Sequence, residues 1–236
     1  MNSLTRRTVL QAAAVGPIVL ASAAETATSA SDSAMGNAAA FAFQHAPVPL
    51  PFDAKALRGI SEKLIRSHWE NNYVGASKAL NTVRGRLVQA LGDANTPPYV
   101  YTGLKREQSI RTGSVVLHEF YFGNLGGDGK APANLRTKIS ESFGSYDRWE
   151  SEFRKIGAGL GGGSGWVVLG YNEHLQLLEN YWLADHSTHP AFTKPVLVMD
   201  MYEHAYQMDY GAAAAKYIDA FFANIQWDAV ASRLKA

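Results

Sequence analysis

The stretch Pro195-Val-Leu-Val-Met-Asp200-Met-Tyr-Glu-His204-Ala-Tyr-Gln-Met-Asp-Tyr210 decides the reading of this chain. The apolar run Val196 to Met199 predicts a buried β-strand. It delivers a carboxylate, Asp200, and four residues later an imidazole, His204. That pair suits a first-row metal such as iron, manganese or zinc. Two further histidines, His68 and His118, lie far upstream in helix-like patterns. Each alone reads better as a satisfied core histidine, and Asp200 alone equally well as a cap for the next helix. Together, the four are the strongest statement the sequence makes about function.

Outward from that stretch the chain divides in four. Residues 1–30 read as an export signal running into a linker, 31–52 as an extended linker with Pro47, Pro49 and Pro51, 53–127 as a helical hairpin, and 128–236 as an α/β domain. Ser61 is placed to cap a helix reaching about Leu91, with Ile65, Trp69, Leu80, Val83 and Leu87 at helical spacing. His68, Asn72 and Ala76 then fall on one stripe. Pro97-Pro98 and Gly103 break the chain before a second helix, from Glu107 to Leu125, that carries His118. The glycines at 126, 127 and 129 mark the boundary. Two more helices follow, Leu135 to Phe143 and Tyr146 to Gly159, the second capped by Ser145. Three strands come next, Gly165–Gly170, Leu175–Trp182 and Pro195–Asp200, the first two joined at Asn172-Glu173. A final helix from Ala212 to Ile225 precedes Trp227 and Leu234. The formal Gly157-x-Gly159-x-x-Gly162 match follows a helix and precedes a strand, the reverse of a dinucleotide fingerprint, so it is read as tight turning and not as a nucleotide site.

Bulk properties narrow the classes. With 236 residues, 47% of them hydrophobic and 18% charged, the chain can bury a substantial core. A net charge of +1 and scattered basic residues give no case for nucleic acid or an anionic membrane. Thr5-Arg6-Arg7-Thr8-Val9-Leu10, the apolar stretch Ala12 to Ala24 and the small-x-small site Ala21-Ser22-Ala23 read as a twin-arginine (Tat) signal, too short for a permanent membrane span. A periplasmic or extracellular protein is expected; removal of residues 1–23 leaves 20 basic against 21 acidic residues. The absence of cysteine excludes disulfides, a thiolate metal site and a cysteine nucleophile.

The residues flanking the four candidate ligands resemble the iron/manganese superoxide dismutase family. The matching pieces are His118-Glu-Phe-Tyr-Phe-Gly-Asn-Leu125, Phe143-Gly-Ser, Gly163-Ser-Gly-Trp166, Asp200-x-Tyr-Glu-His204-Ala-Tyr-x-x-Asp-Tyr210 and Asn224-x-x-Trp227-Asp, in the family's order from about Pro49 to Leu234. The resemblance implies an α+β fold, a long N-terminal helical hairpin plus a C-terminal α/β domain with a three-stranded antiparallel sheet. It implies a mononuclear iron or manganese site with His68, His118, Asp200 and His204 as ligands. His68 is placed by the Leu80-Asn81 pair; aligning Tyr73 with the family's active-site tyrosine would put Ile65 at the ligand position. The implied substrate is superoxide and the implied assembly a homodimer, in which Glu203 pairs with His204 of the partner subunit. Val198, two before Asp200, leans the metal to iron. Trp166, Tyr121, Phe122 and Tyr202 are expected to wall the site.

The chain departs from the family around that centre. Asn72 and Ala76 stand where the family commonly has an access His and Tyr, and Gln207 where a Tyr reaches the partner's access His. Asn72 and Gln207 can form an amide–amide pair across a dimer. The glutamine that the family aims at the metal-bound water is missing: Ser114 stands at its iron-type position, and the loop Trp182 to His186 holds none. His186 is the expected substitute, offering one ring N–H. Two other classes compete: a dismutase-fold metal-binding or scaffold protein with little catalysis, and a redox-inert zinc hydrolase. Retention of all four ligands argues against the scaffold.

Overall fold

The computed structural model describes residues 39–234, so the expected signal over 1–30 and residues 31–38 of the linker lie outside the described residues. A single turn, α1 (Ala39–Ala42), leads into residues 43–53, which join no helix or sheet. Ser61 then caps the first long helical stretch, its side chain accepting from the Leu64 N–H. That stretch is not one regular helix. It consists of α2 (Glu62–Ser67), a π-helical turn over His68–Tyr73 and α3 (Val74–Gly92). The π-turn is closed by the Val74 N–H on the Trp69 carbonyl, an i→i+5 bond that adds a residue to the turn. Residues five apart, His68 and Tyr73, are therefore both buried, at 1% exposure each. The expected stripe His68–Asn72–Ala76 is broken: Asn72 is half-buried, and Ala76 is packed in the core instead of lining an access path.

The second helix is longer than its sequence predicts. α4 runs Pro98–Gly123, because Pro98 sits at its first turn, where a missing N–H breaks no bond, and Gly103 inside it meets no neighbour. α3 and α4 pack as the expected hairpin. α5 (Ala133–Phe143) ends on Gly144 in the left-handed region, φ 80°, and Ser145 accepts from the Arg148 N–H to start α6 (Tyr146–Leu160).

The sheet has strands β1 (Trp166–Asn172), β2 (Leu177–Leu183) and β3 (Thr193–Asp200) in the order β2-β1-β3, antiparallel throughout. The first hairpin turns over residues 173–176 rather than at Asn172-Glu173, since Asn172 Oδ1 accepts from the His174 and Leu175 N–H groups and Gln176 takes φ 58°. Register sets Trp166 opposite Leu183 on one side and Asp200 on the other. α4 packs against β3 and α6 against β1, so Trp166 to Leu169 and Val196 to Asp200 are fully buried.

After β3 come a 3₁₀ turn (Glu203–Ala205), α7 (Gln207–Tyr210), α8 (Ala214–Ala223) and α9 (Trp227–Arg233). The expected last helix over 212–225 thus stops short and another follows. The break has a cause in Asn224, whose Nδ2 donates to the Ala220 and Arg58 carbonyls while its Oδ1 accepts from the Arg58 N–H. No described helix is long and apolar enough to cross a membrane.

One buried amide joins hairpin, sheet and C-terminus. Asn124 Nδ2 donates to the Val198 carbonyl (2.7 Å), its Oδ1 accepts from Arg233, and its carbonyl accepts from the Gln226 N–H (2.6 Å). Asn124→Ala strands the Val198 carbonyl and leaves the half-buried Arg233 guanidinium with the Val196 carbonyl alone, an expected loss of about 2–3 kcal/mol. In thermal unfolding followed by circular dichroism, Tm should fall by about 4–12 °C.

Candidate metal centre

Four side chains predicted from the sequence meet at one point. His68 comes from the π-turn, His118 from the last turns of α4, Asp200 from the end of β3 and His204 from the 3₁₀ turn behind it. One ligand atom from each lies within 4.8 Å of all the others. The common element is Asp200 Oδ2, which is 3.1 Å from His68 Nε2, 3.2 Å from His204 Nε2 and 3.6 Å from His118 Nε2.

Asp200 is fully buried and is oriented on both sides. Its Oδ1 accepts from the Tyr202 N–H (2.8 Å), and its carbonyl accepts from the Tyr217 hydroxyl (2.7 Å), which lies 3.2 Å from the Tyr121 hydroxyl. Burial alone would raise its pKa, but His204 and His68 overcome that and hold it well below the usual carboxylate range. Burial pushes His118 down to about 3, and it also lowers His68 against the pull of Asp200. His204 is less enclosed, so there the attraction of Asp200 exceeds the burial effect and its pKa rises. At neutral pH the two inner imidazoles are neutral bases facing a carboxylate.

The tautomer of His118 is set by its backbone: Nδ1 lies 2.7 Å from the Ser114 carbonyl, so Nδ1 carries the proton and Nε2 is left with its lone pair. His68 Nδ1 and Nε2 and His118 Nε2 are buried without a hydrogen-bond partner. Buried polar atoms are rarely left so, and three neutral nitrogens around one anionic oxygen form a donor set for a divalent or trivalent cation. The residues therefore fit an iron or manganese ion.

Aromatic rings enclose the four. Tyr121 and Phe122 lie 5.2 and 5.0 Å from the His68 ring, Trp166 5.0 Å from His118 and Tyr202 5.3 Å from His204, so all four expected wall residues touch the centre. His186, in the loop from β2 to β3, stacks on Tyr202 at 4.8 Å and sits 6.1 Å from His118. Its Nδ1 accepts the indole N–H of Trp166 (3.0 Å), which leaves the proton on Nε2; burial lowers its pKa and keeps it neutral. Gly113 makes that position possible, because a Cβ there would stand 1.7 Å from the His186 carbonyl oxygen. Ser114, at the family's glutamine position, contributes its carbonyl to His118.

The side chains of Asn72, Glu203 and Gln207 have no hydrogen-bond partner among the described residues; Asn72 is half-buried and the other two are exposed. Sequence reasoning passed over Glu119 and His45 and set Tyr73 aside when the register that matched it to the family's tyrosine was rejected. Tyr73 packs 6.4 Å from the His118 ring because of the π-turn, and Glu119 and His45 bind its hydroxyl side. Its five-residue spacing from His68 means adjacency in a π-turn but not in an α-helix.

Comparison with known proteins agrees with this geometry. Residues 131–233 match the family model for iron/manganese superoxide dismutases, C-terminal domain. The chain is 50% identical to a superoxide dismutase [Fe] of Cupriavidus metallidurans over 188 residues, 80% of this chain and 95% of that protein. It is 36% identical to a superoxide dismutase [Fe] of Aquifex pyrophilus over 76% of this chain and 86% of the relative. Identity to a superoxide dismutase [Mn] of Halobacterium salinarum is 30%, over 79% and 93%.

The donor set yields a direct test. An ion held at a free concentration 1,000-fold above its Kd stabilises the folded chain by about 4 kcal/mol. Stripping it with a chelator under reducing conditions should lower Tm by roughly 8–16 °C. Adding back ferrous or manganous ion should restore it. His68→Ala should bind far less than one ion per chain by elemental mass spectrometry and melt at the stripped temperature with or without metal.

Proposed function

The chain belongs to the iron/manganese superoxide dismutase family, and on that premise we infer that it converts superoxide to oxygen and hydrogen peroxide at one ion per subunit, bound by His68, His118, Asp200 and His204. The observation that carries this reading is the convergence of one carboxylate oxygen and three imidazole nitrogens within 4.8 Å, three of the four residues being buried. A bound iron or manganese ion would supply one-electron redox chemistry at this point.

The chain's own residues do the remainder. Asp200, anionic and clamped by Tyr202 and Tyr217, supplies the negative charge that favours the higher oxidation state. Ser114 holds the His118 proton on Nδ1 and so keeps Nε2 free to bind. Trp166, Phe122 and Tyr121 keep bulk water from the ligands. His186 takes the place of the missing glutamine: with its Nδ1 committed to Trp166, it presents a neutral Nε2–H donor beside the ligand cluster.

Iron is the proposed metal. Val198 precedes Asp200 by two, and the 50% identical relative is a superoxide dismutase [Fe]. The assembly is proposed as a homodimer, with Glu203 pairing with His204 of the partner subunit and Asn72 with the partner's Gln207. In support, the side chains of Asn72, Glu203 and Gln207 have no partner in their own chain among the described residues. Export by the Tat route to the periplasm or beyond rests on the Arg6-Arg7 pattern. A scaffold role gains no support, because a scaffold has no use for unpartnered imidazole nitrogens in its core.

Iron-loaded protein should accelerate superoxide decay well above the zinc-loaded form, and equal rates would refute the reading. His186→Ala should keep its iron while dismutation falls about 10–100-fold, the usual cost of losing a residue that orients a metal's ligands. Glu203→Ala should shift sedimentation on dilution from dimer toward monomer.

A further inference from the structure

Residues 43–53 join no helix or sheet, and side chains of the hairpin hold several of their main-chain groups, at Phe43, His45 and Val48. His45 is held at both its N–H and its carbonyl. Its N–H donates to Asn81 Oδ1 (2.8 Å), and its carbonyl accepts from Asn81 Nδ2 (3.0 Å) and Ser77 Oγ (3.3 Å). The backbone of this one residue is thereby fixed to α3. Its imidazole reaches across to α4, where Nε2 lies 2.8 Å from Glu119 Oε1. The same carboxylate oxygen accepts from the Tyr73 hydroxyl (2.7 Å), and that hydroxyl accepts from the Val48 N–H (2.7 Å).

Both inner members of this chain of contacts bear on a ligand. Glu119 is the residue after His118 on α4, so holding its carboxylate restrains the turn that aims the His118 ring. Tyr73 lies against His118 and, at 6.1 Å, against Phe122, which itself stacks on His118 at 6.1 Å and 26°. Neither Tyr73 nor His118 is more than 1% exposed, so neither ring has slack to absorb a shift of the other. Glu119 by contrast is 29% exposed, and without His45 its carboxylate is free to turn toward water.

We propose that His45, from the segment ahead of the helical hairpin, is a positioning residue of the metal centre, fixing the His118 imidazole through Glu119 and Tyr73. This rests on the four-ligand centre inferred above. The carboxylate joins the two side chains: it takes the tyrosine proton and the imidazole N–H on one oxygen, and such charge-assisted bonds are the directional ones. A centre held in this way is tuned from outside by a segment that belongs to neither helix of the hairpin.

The test uses full-length protein with cobalt(II) in the site, whose visible bands report the ligand field independently of turnover. His45→Ala should bind one cobalt per chain with shifted bands, and in the iron form kcat should fall about threefold to tenfold with KM unchanged, less than the 10–100-fold of a residue that bonds a ligand directly. His45→Gln, whose side-chain N–H reaches the same carboxylate, should restore the wild-type spectrum. Tyr73→Phe, which keeps the ring and removes the donor, should reproduce the shift and decides the matter if His45→Ala does not fold. Wild-type bands in His45→Ala, or in Tyr73→Phe in its place, overturn the proposal, whatever Tm does. Wild-type protein that takes up no cobalt would overturn the ligand assignment itself, a separate failure.

Discussion

The Asp200 carboxylate is the constraint around which the rest is arranged. A fully buried carboxylate is costly unless opposite charge and hydrogen bonds meet it. Here Tyr202 and Tyr217 orient it from the backbone side, and three imidazole nitrogens face one of its oxygens. Burial depresses the inner histidines, so they cannot serve as permanent counter-charges. An anion faced by imidazole bases is an incomplete arrangement that a cation completes, which couples metal binding to folding stability.

That requirement explains the topology. A strand end offers a carboxylate held rigidly by a ladder, and the antiparallel partner β1 sets Trp166 directly opposite Asp200. Two long helices can each offer an imidazole from a packed face, and α4 does so because it lies against β3. His204 follows on a 3₁₀ turn, four residues after Asp200, and is the one ligand that retains exposure. The least enclosed ligand thus sits beside Glu203, whose side chain has no partner among the described residues.

What was legible in the sequence was whatever depends on residue type at fixed spacing. The apolar run into Asp200, the His118 block and the Ser61 and Ser145 caps carry their geometry locally, and the fold class followed from them. What was not legible depends on neighbours distant in sequence or on a change of helical period. The His68–Asn72–Ala76 stripe assumed a regular α-helix; one added residue in the turn moved Ala76 into the core and Tyr73 to the metal centre. Gly113 gave no signal in its own helix, because its purpose is the approach of a carbonyl 73 residues away, at His186. Asn224 broke the last helix through a partner at Arg58.

The histidines also show why a list of ligands understates such a site. Each of the two best-defined rings has one nitrogen committed elsewhere: His118 gives its Nδ1 proton to the Ser114 carbonyl, and His186 takes the Trp166 indole proton on Nδ1. The two commitments are opposite in sense. The first leaves a lone pair on Nε2 and makes a ligand, while the second leaves a proton on Nε2 and makes a donor. Identical side chains 6.1 Å apart are thus given different chemistry by what stands behind them. On the proposed reading, a histidine can stand in for the glutamine only because Trp166 fixes its tautomer; with the indole removed, His186 presents either nitrogen as donor and the Nε2–H is no longer assured.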